Sequence, residues 1–132
     1  MKISVVSGGF DPIHSGHIAY LNAAKEQGDI LIVALNSDAW LTNKKGQPFM
    51  NFEERKTILE NLSCVDEVMD FKDDELGSCI NALVTIKEKY PNEQIIFCNG
   101  GDRNDSNIPE MSVSDIEFKF SIGGEDKKNS SS

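Results

Sequence analysis

The chain has 132 residues, 39% of them hydrophobic, which is enough apolar material for one core and one domain. Its formal net charge of −9 at pH 7 sets a repulsive mean field against polyanions, excluding non-specific binding to nucleic acid or anionic membrane. No apolar run approaches the roughly 20 residues that cross a bilayer, and the N-terminus enters a strand directly, so a cytoplasmic protein without signal peptide is expected.

In chain order, Ile3 to Ser7 reads as a buried first strand, followed by Gly8-Gly9 and a helix from His17 to about Gln27 that Gly28 closes. The continuous apolar run Ile30 to Leu35 predicts a central parallel strand buried on both faces. Asn51, with Glu54 three residues later, predicts a capped helix through about Leu62. Glu67 to Phe71 is a short strand. Leu76 to Tyr90 carries Ile80, Leu83, Val84 and Ile86 at helical spacing until Pro91 stops it, and Gln94 to Asn99 is another buried strand. Asn99 to Asp115 is a long Gly/Asp/Asn/Ser-rich loop, of the kind that is usually functional in a compact domain. Ile116, Phe118, Phe120 and Ile122 alternate with polar residues, which predicts a last strand near a sheet edge. Gly123 to Ser132 is polar. Strands alternating with helices predict an α/β Rossmann-like open parallel sheet of about five strands with helices on both faces, in a single domain over 1–132. Cys64, Cys79 and Cys98 are odd in number and lack CxxC spacing, which excludes a disulfide framework and a zinc knuckle.

The chemistry concentrates where the first strand hands over to a helix, in Ser7-Gly8-Gly9-Phe10-Asp11-Pro12-Ile13-His14-Ser15-Gly16-His17. A helix N-terminus offers unpaired backbone N–H groups and the positive end of the dipole, and glycines ahead of it let a phosphate approach. His14 and His17, the two histidines of the chain, are three residues apart beside that turn. Phosphate contact is the reading favoured over an ordinary loop or a metal site, because Asp11 is the one acid nearby and there is no third histidine. Lys44 and Arg55 are the cationic candidates, weighed against a solvated lysine pair and a helix-surface ion pair. Gly100-Gly101-Asp102 follows the fourth strand, where open α/β sheets bind ligands. Trp40 reads as a packing residue or the anchor of a lid.

Gly8-Gly9-Phe10-Asp11-Pro12-Ile13-His14-Ser15-Gly16-His17 resembles the nucleotide-binding signature of the cytidylyltransferase-like nucleotidyltransferases, which share an HxGH pattern. Further matches lie in Gly28-Asp29, Asn36-Ser37-Asp38, Glu53 to Lys56 with Ile58-Leu59-Glu60, Val65-Asp66-Glu67-Val68 and Gly100-Gly101-Asp102. The nearest branches are glycerol-3-phosphate cytidylyltransferase and the adenylyltransferase domain of ADP-heptose synthesis. The resemblance implies transfer of a nucleotidyl group from CTP, or alternatively ATP, to a phosphorylated small molecule, with release of pyrophosphate. It implies His14, His17 and Lys44 as catalytic residues, and Lys44 and Arg55 as contacts to the acceptor. Nucleotide contacts are implied for Gly8, Gly9, Phe10, Asp11, His14, His17, Gly100, Asp102, Arg103, Ser130 and Ser131. It also implies Mg²⁺ carried with the triphosphate, and a homodimer joined around Cys64-Val65-Asp66-Glu67-Val68.

A phosphate monoester is largely dianionic at neutral pH, so such a nucleophile needs no general base. The site must supply in-line positioning and positive charge, which imidazole donors, a helix N-terminus and basic side chains provide. Relatives commonly have Thr, Ser or Cys in place of Gly9, and many cytidylyltransferases an arginine near Glu125 ahead of a Ser/Thr signature of which Ser130-Ser131 would be the start. A nucleotide-binding regulatory module that has lost turnover is the alternative from another class.

Overall fold

The computed structural model describes residues 1–100, 109–120 and 122. Five parallel strands form one sheet: β1 (Lys2–Gly8), β2 (Ile30–Leu35), β3 (Glu67–Met69), β4 (Gln94–Cys98) and β5 (Glu117–Lys119), in the order β3-β2-β1-β4-β5. Among the described residues four helices connect them: α1 (Ser15–Glu26), α2 (Asp38–Lys45), α3 (Phe52–Glu60) and α4 (Ile80–Lys89). A short 3₁₀ turn, Pro109–Ser112, precedes β5.

The apolar runs seen in the sequence become strands because both faces of the sheet are covered. Val6, Leu31, Val33 and Ile96 pack with Leu21 and Ala24 of α1 and Leu59 of α3. Ile3, Val5, Ile32, Ile95 and Phe97 point the other way, against Ala82, Leu83 and Ile86 of α4. Gly28 permits the tight return from α1 to β2. A Cβ there would lie 2.6 Å from Ser4 Oγ and 2.9 Å from the Lys2 carbonyl oxygen, closer than atoms can pack.

Several boundaries differ from the sequence expectations. α2 was not anticipated as a helix. Ser37 caps it by accepting from the Trp40 amide, but Leu41 is its one buried residue, so the apolar period is weak. α4 begins at Ile80 rather than Leu76, because Asp74 accepts hydrogen bonds from the amides of Leu76 and Ser78 and holds a turn there. β3 ends at Met69, and β5, at the sheet edge as expected, spans only Glu117–Lys119. Val65 and Val68 pack in the core cluster with Leu59, and Val68 lies in β3, the strand at the other edge of the sheet.

The chain runs outward from β1 through β2 to β3 and then crosses to β4 on the other side of β1. That reversal opens a crevice at the carboxyl ends of β1 and β4, the usual ligand position of such sheets.

Candidate active site

At the carboxyl end of β1 the chain passes through Gly9 and Phe10 and enters α1 with His14 as its N-cap. His14 Nδ1 accepts from the Gly16 amide at 3.1 Å, and His17 Nδ1 accepts from the His14 amide at 3.3 Å. Two imidazoles thus form the reciprocal cap that Ser/Thr and Glu usually supply. An accepting Nδ1 carries no proton, so the neutral ring holds its hydrogen on Nε2. The rings stack with centroids 3.9 Å apart and planes at 21°, and the Phe10 ring meets His17 edge-on at 5.0 Å. His14 Nε2 is buried and has no hydrogen-bond partner among the described residues. An unsatisfied donor of that kind costs on the order of 1–3 kcal/mol, which a ligand oxygen would restore.

Asp11, expected at the nucleotide, is instead turned into the protein. Its carboxylate is buried and accepts from the amides of Phe49 and Met50 at 2.5 and 2.6 Å, with Lys45 Nζ at 2.9 Å. Burial pushes the carboxyl upward, but Lys45 and the two amides outweigh it and hold the group below the ordinary aspartate range. Lys45 also donates to the Asp11 carbonyl at 2.7 Å.

Arg55, expected at the acceptor phosphate, is likewise occupied by the protein. Its side chain is buried, and it donates to the carbonyls of Met50 at 3.0 Å, Gly9 at 2.9 Å and Asn36 at 2.7 Å, and to the Asp38 carboxylate at 2.8 Å. The planar guanidinium fork suits such a junction. It joins the glycine segment, the end of β2, the start of α2 and the loop before α3. Its interior position had no signal in the sequence, where a helix-surface arginine and a junction arginine read alike.

The other wall of the crevice is β4. Tyr20 of α1 donates its hydroxyl to the Cys98 carbonyl at 2.5 Å, fixing the helix to the end of that strand. This tie was not foreseen, although Tyr20 stands three residues after His17. Asn99 is buried, and its Nδ2 donates to the Lys119 carbonyl at 3.2 Å. Gly8 ends β1 and Gly100 follows β4 beyond Asn99, on the carboxyl side of the sheet. Lys44 lies in the last turn of α2 with Nζ 4.7 Å from the Trp40 ring centroid. Asp102, Arg103, Ser130 and Ser131 lie outside the described residues. No group of three or more His, Cys, Asp or Glu able to hold a metal ion occurs among the described residues. With Asp11 committed to Lys45, the donor set here fits a cation that arrives bound to triphosphate oxygens rather than one caged by protein.

A family model described as cytidylyltransferase-like matches residues 5–117. The bifunctional protein HldE of Helicobacter pylori (strain ATCC 700392 / 26695) is 43% identical over 101 residues, which are 72% of this chain and 22% of that protein. The chain therefore spans about a fifth of the length of the curated relatives it matches. A lipopolysaccharide core biosynthesis protein from Thermoplasma volcanium GSS1 superposes with a TM-score of 0.69 at 22% identity, covering 91% of this chain and 94% of that one. A bifunctional NMN adenylyltransferase/ADP ribose pyrophosphatase from Francisella tularensis, complexed with AMP and a manganese ion, superposes with a TM-score of 0.63 at 18% identity over 90% of this chain and 36% of that one. At these identities the two structures establish the likeness of fold.

Proposed function

Because this chain belongs to the cytidylyltransferase-like family, we propose that it transfers a nucleotidyl group from a nucleoside triphosphate to a phosphorylated sugar and releases pyrophosphate. The observation that carries this reading is the backbone-anchored histidine pair, with His14 Nε2 buried at the N-terminus of α1 and unpaired among the described residues. ATP and an ADP-heptose-type reaction are the favoured finer reading, supported by the HldE relatives; CTP with a polyol phosphate acceptor is the second.

The acceptor's phosphate oxygen attacks the α-phosphorus, a new P–O bond forms, and the bond to the β-phosphate oxygen breaks with its electrons leaving on pyrophosphate. The dianionic nucleophile brings no proton that must be removed. Nε2–H of His14 and of His17 would meet the charge on the α- and β-phosphate oxygens, aided by the first amides of α1. Arg55 and Asp11 act through the backbone, fixing Gly9 and the loop before α3 around the triphosphate. Gly8, Gly100, Asp102 and Arg103 complete the nucleotide side in this reading, and Ser130 and Ser131 its far end. Bound with the nucleotide, Mg²⁺ would screen the triphosphate. A two-fold contact between chains would use the edge strand β3.

The test is pyrophosphate release from ATP and from CTP in the presence of heptose, hexose and glycerol phosphates. Release that needs both a triphosphate and one acceptor class establishes the reaction. Nucleotide binding without release, across the panel, would favour the regulatory module.

A further inference from the structure

Among the described residues, two buried side-chain atoms at the carboxyl edge of the sheet have no hydrogen-bond partner, His14 Nε2 and Asn99 Oδ1. They differ in kind, since the imidazole Nε2–H donates and an amide oxygen only accepts. Asn99 directly follows β4 and is 1% exposed. Its backbone continues the ladder to β5 and beyond, the amide donating to the Lys119 carbonyl at 2.8 Å and the carbonyl accepting from the Ile122 amide at 2.9 Å. The side-chain Nδ2 donates to the carbonyls of Lys119 at 3.2 Å and Phe97 at 3.4 Å. Both of those neighbours are acceptors, so the nitrogen is the end that must face them, and the planar amide turns Oδ1 away from them.

Strand alternation sets the side. Ile96 and Cys98 cluster with the residues of α1, Ile95 and Phe97 with those of α4, and the period of two puts Asn99 with Phe97. The histidines stand across the sheet from it, at the N-terminus of α1, where the proposed reaction holds the triphosphate. In-line displacement brings the nucleophile to the α-phosphorus from the side opposite the departing pyrophosphate. The acceptor then enters from the α4 side, where Asn99 stands. A carbonyl oxygen there repels phosphate oxygens and accepts from a hydroxyl. We propose that Asn99 is a specificity-determining residue for the acceptor, its Oδ1 accepting a hydrogen bond from a hydroxyl of a polyhydroxylated phosphate ester. The inference rests on the transferase reading for the identity of the ligand, and on the orientation of the Asn99 amide for the site.

The test reads the wild-type chain first, so it does not depend on a variant that folds. The side-chain amide of Asn99 is followed by ¹⁵N NMR while heptose, hexose and glycerol phosphates, and separately inorganic phosphate, are added with and without the α,β-methylene analogues of ATP and CTP. The polyhydroxylated esters are expected to move that resonance saturably, and inorganic phosphate at the same concentrations to leave it in place. With an acceptor that supports pyrophosphate release, Asn99→Leu is expected to raise acceptor KM about tenfold while nucleotide KM moves by less than about twofold. When each acceptor hydroxyl is replaced in turn by hydrogen, one analogue should lose about tenfold against wild type and less than about twofold against Asn99→Leu. A resonance that no ester moves, one that inorganic phosphate or the nucleotide analogue moves equally, or an Asn99→Leu effect falling equally on both KM values overturns the proposal. Pyrophosphate release with an unmoved Asn99 resonance sinks the role of Asn99 and leaves the transferase reading intact. Movement by the esters alone, without release from ATP or CTP, supports the hydroxyl contact and counts against the transferase reading.

Discussion

At the Asp11 end of the glycine-rich segment the polar groups are engaged by the protein itself: Asp11 by Lys45 and two amides, and the Gly9 carbonyl by Arg55. At the His14 end the backbone engages each Nδ1 and leaves His14 Nε2 buried without a partner among the described residues. The charged side chains Asp11 and Arg55 hold the shape of the segment, and in the proposed reaction the imidazoles are the groups that meet the nucleotide. The difference follows from burial. A carboxylate or guanidinium out of water must be paired in the folded chain at all times, while a neutral imidazole can wait for its ligand at modest cost.

The comparison predicts that the two ends fail differently. Arg55→Met leaves the Gly9, Asn36 and Met50 carbonyls without their donor and should cost about 3–5 kcal/mol of stability, read from urea unfolding. A variant as stable as the parent would show that the junction holds nothing. His14→Ala and His17→Ala should lower turnover by about 10²–10³-fold under saturating substrates, as loss of one oxyanion donor does. Their stability should fall by only about 1 kcal/mol, for the lost cap. Full turnover in either would remove the imidazoles from the reaction.

Smaller effects sharpen the contrast. The Asp11 carboxyl is held below its ordinary value, so the stability it contributes is present above the unfolded aspartate pKa of about 3.9 and is lost as pH falls through the lower folded value. Asp66 and Asp74 are shifted the same way, so Asp11→Asn should flatten part of the acid limb in urea melts below about pH 4, without abolishing it. An unchanged limb would mean that the Lys45 pair is not linked to folding. At the crevice wall, Tyr20→Phe removes the bond to the Cys98 carbonyl, a loss of about 1 kcal/mol. Burial pushes the Cys98 thiol up to about 11, so it should alkylate slowly near neutral pH and faster in Tyr20→Phe, as mass spectrometry would show. Equal rates in the two proteins would mean that Tyr20 does not close that wall.

The sheet was legible in the sequence because buried parallel strands are apolar throughout; Ile30–Leu35 coincides with the expected run residue for residue. The histidine cap was legible as a place, from the glycines and the strand before it. What each charged residue does there was not. Arg55 has helical neighbours at ordinary spacing, and its burial depends on Gly9 and Asn36 converging from two distant segments on the loop that carries Met50. α2 was hidden because eight residues with one buried apolar side chain carry little periodic signal, although Ser37-Asp38 is a good helix start. Leu76 looked like the first apolar residue of α4, yet it is 70% exposed, since the Asp74 turn intervenes.

The central claim, that His14 offers an Nε2–H donor to nucleotide phosphate, is tested most directly by ¹⁵N NMR of the two imidazoles with and without ATP. Two histidines make the assignment simple through His14→Ala. The account predicts Nε2–H tautomers for both rings, and a large shift of the His14 Nε2 resonance on ATP addition, with Nδ1 nearly unmoved. An Nδ1–H tautomer at His14, or imidazole resonances that saturating ATP leaves in place, would contradict it.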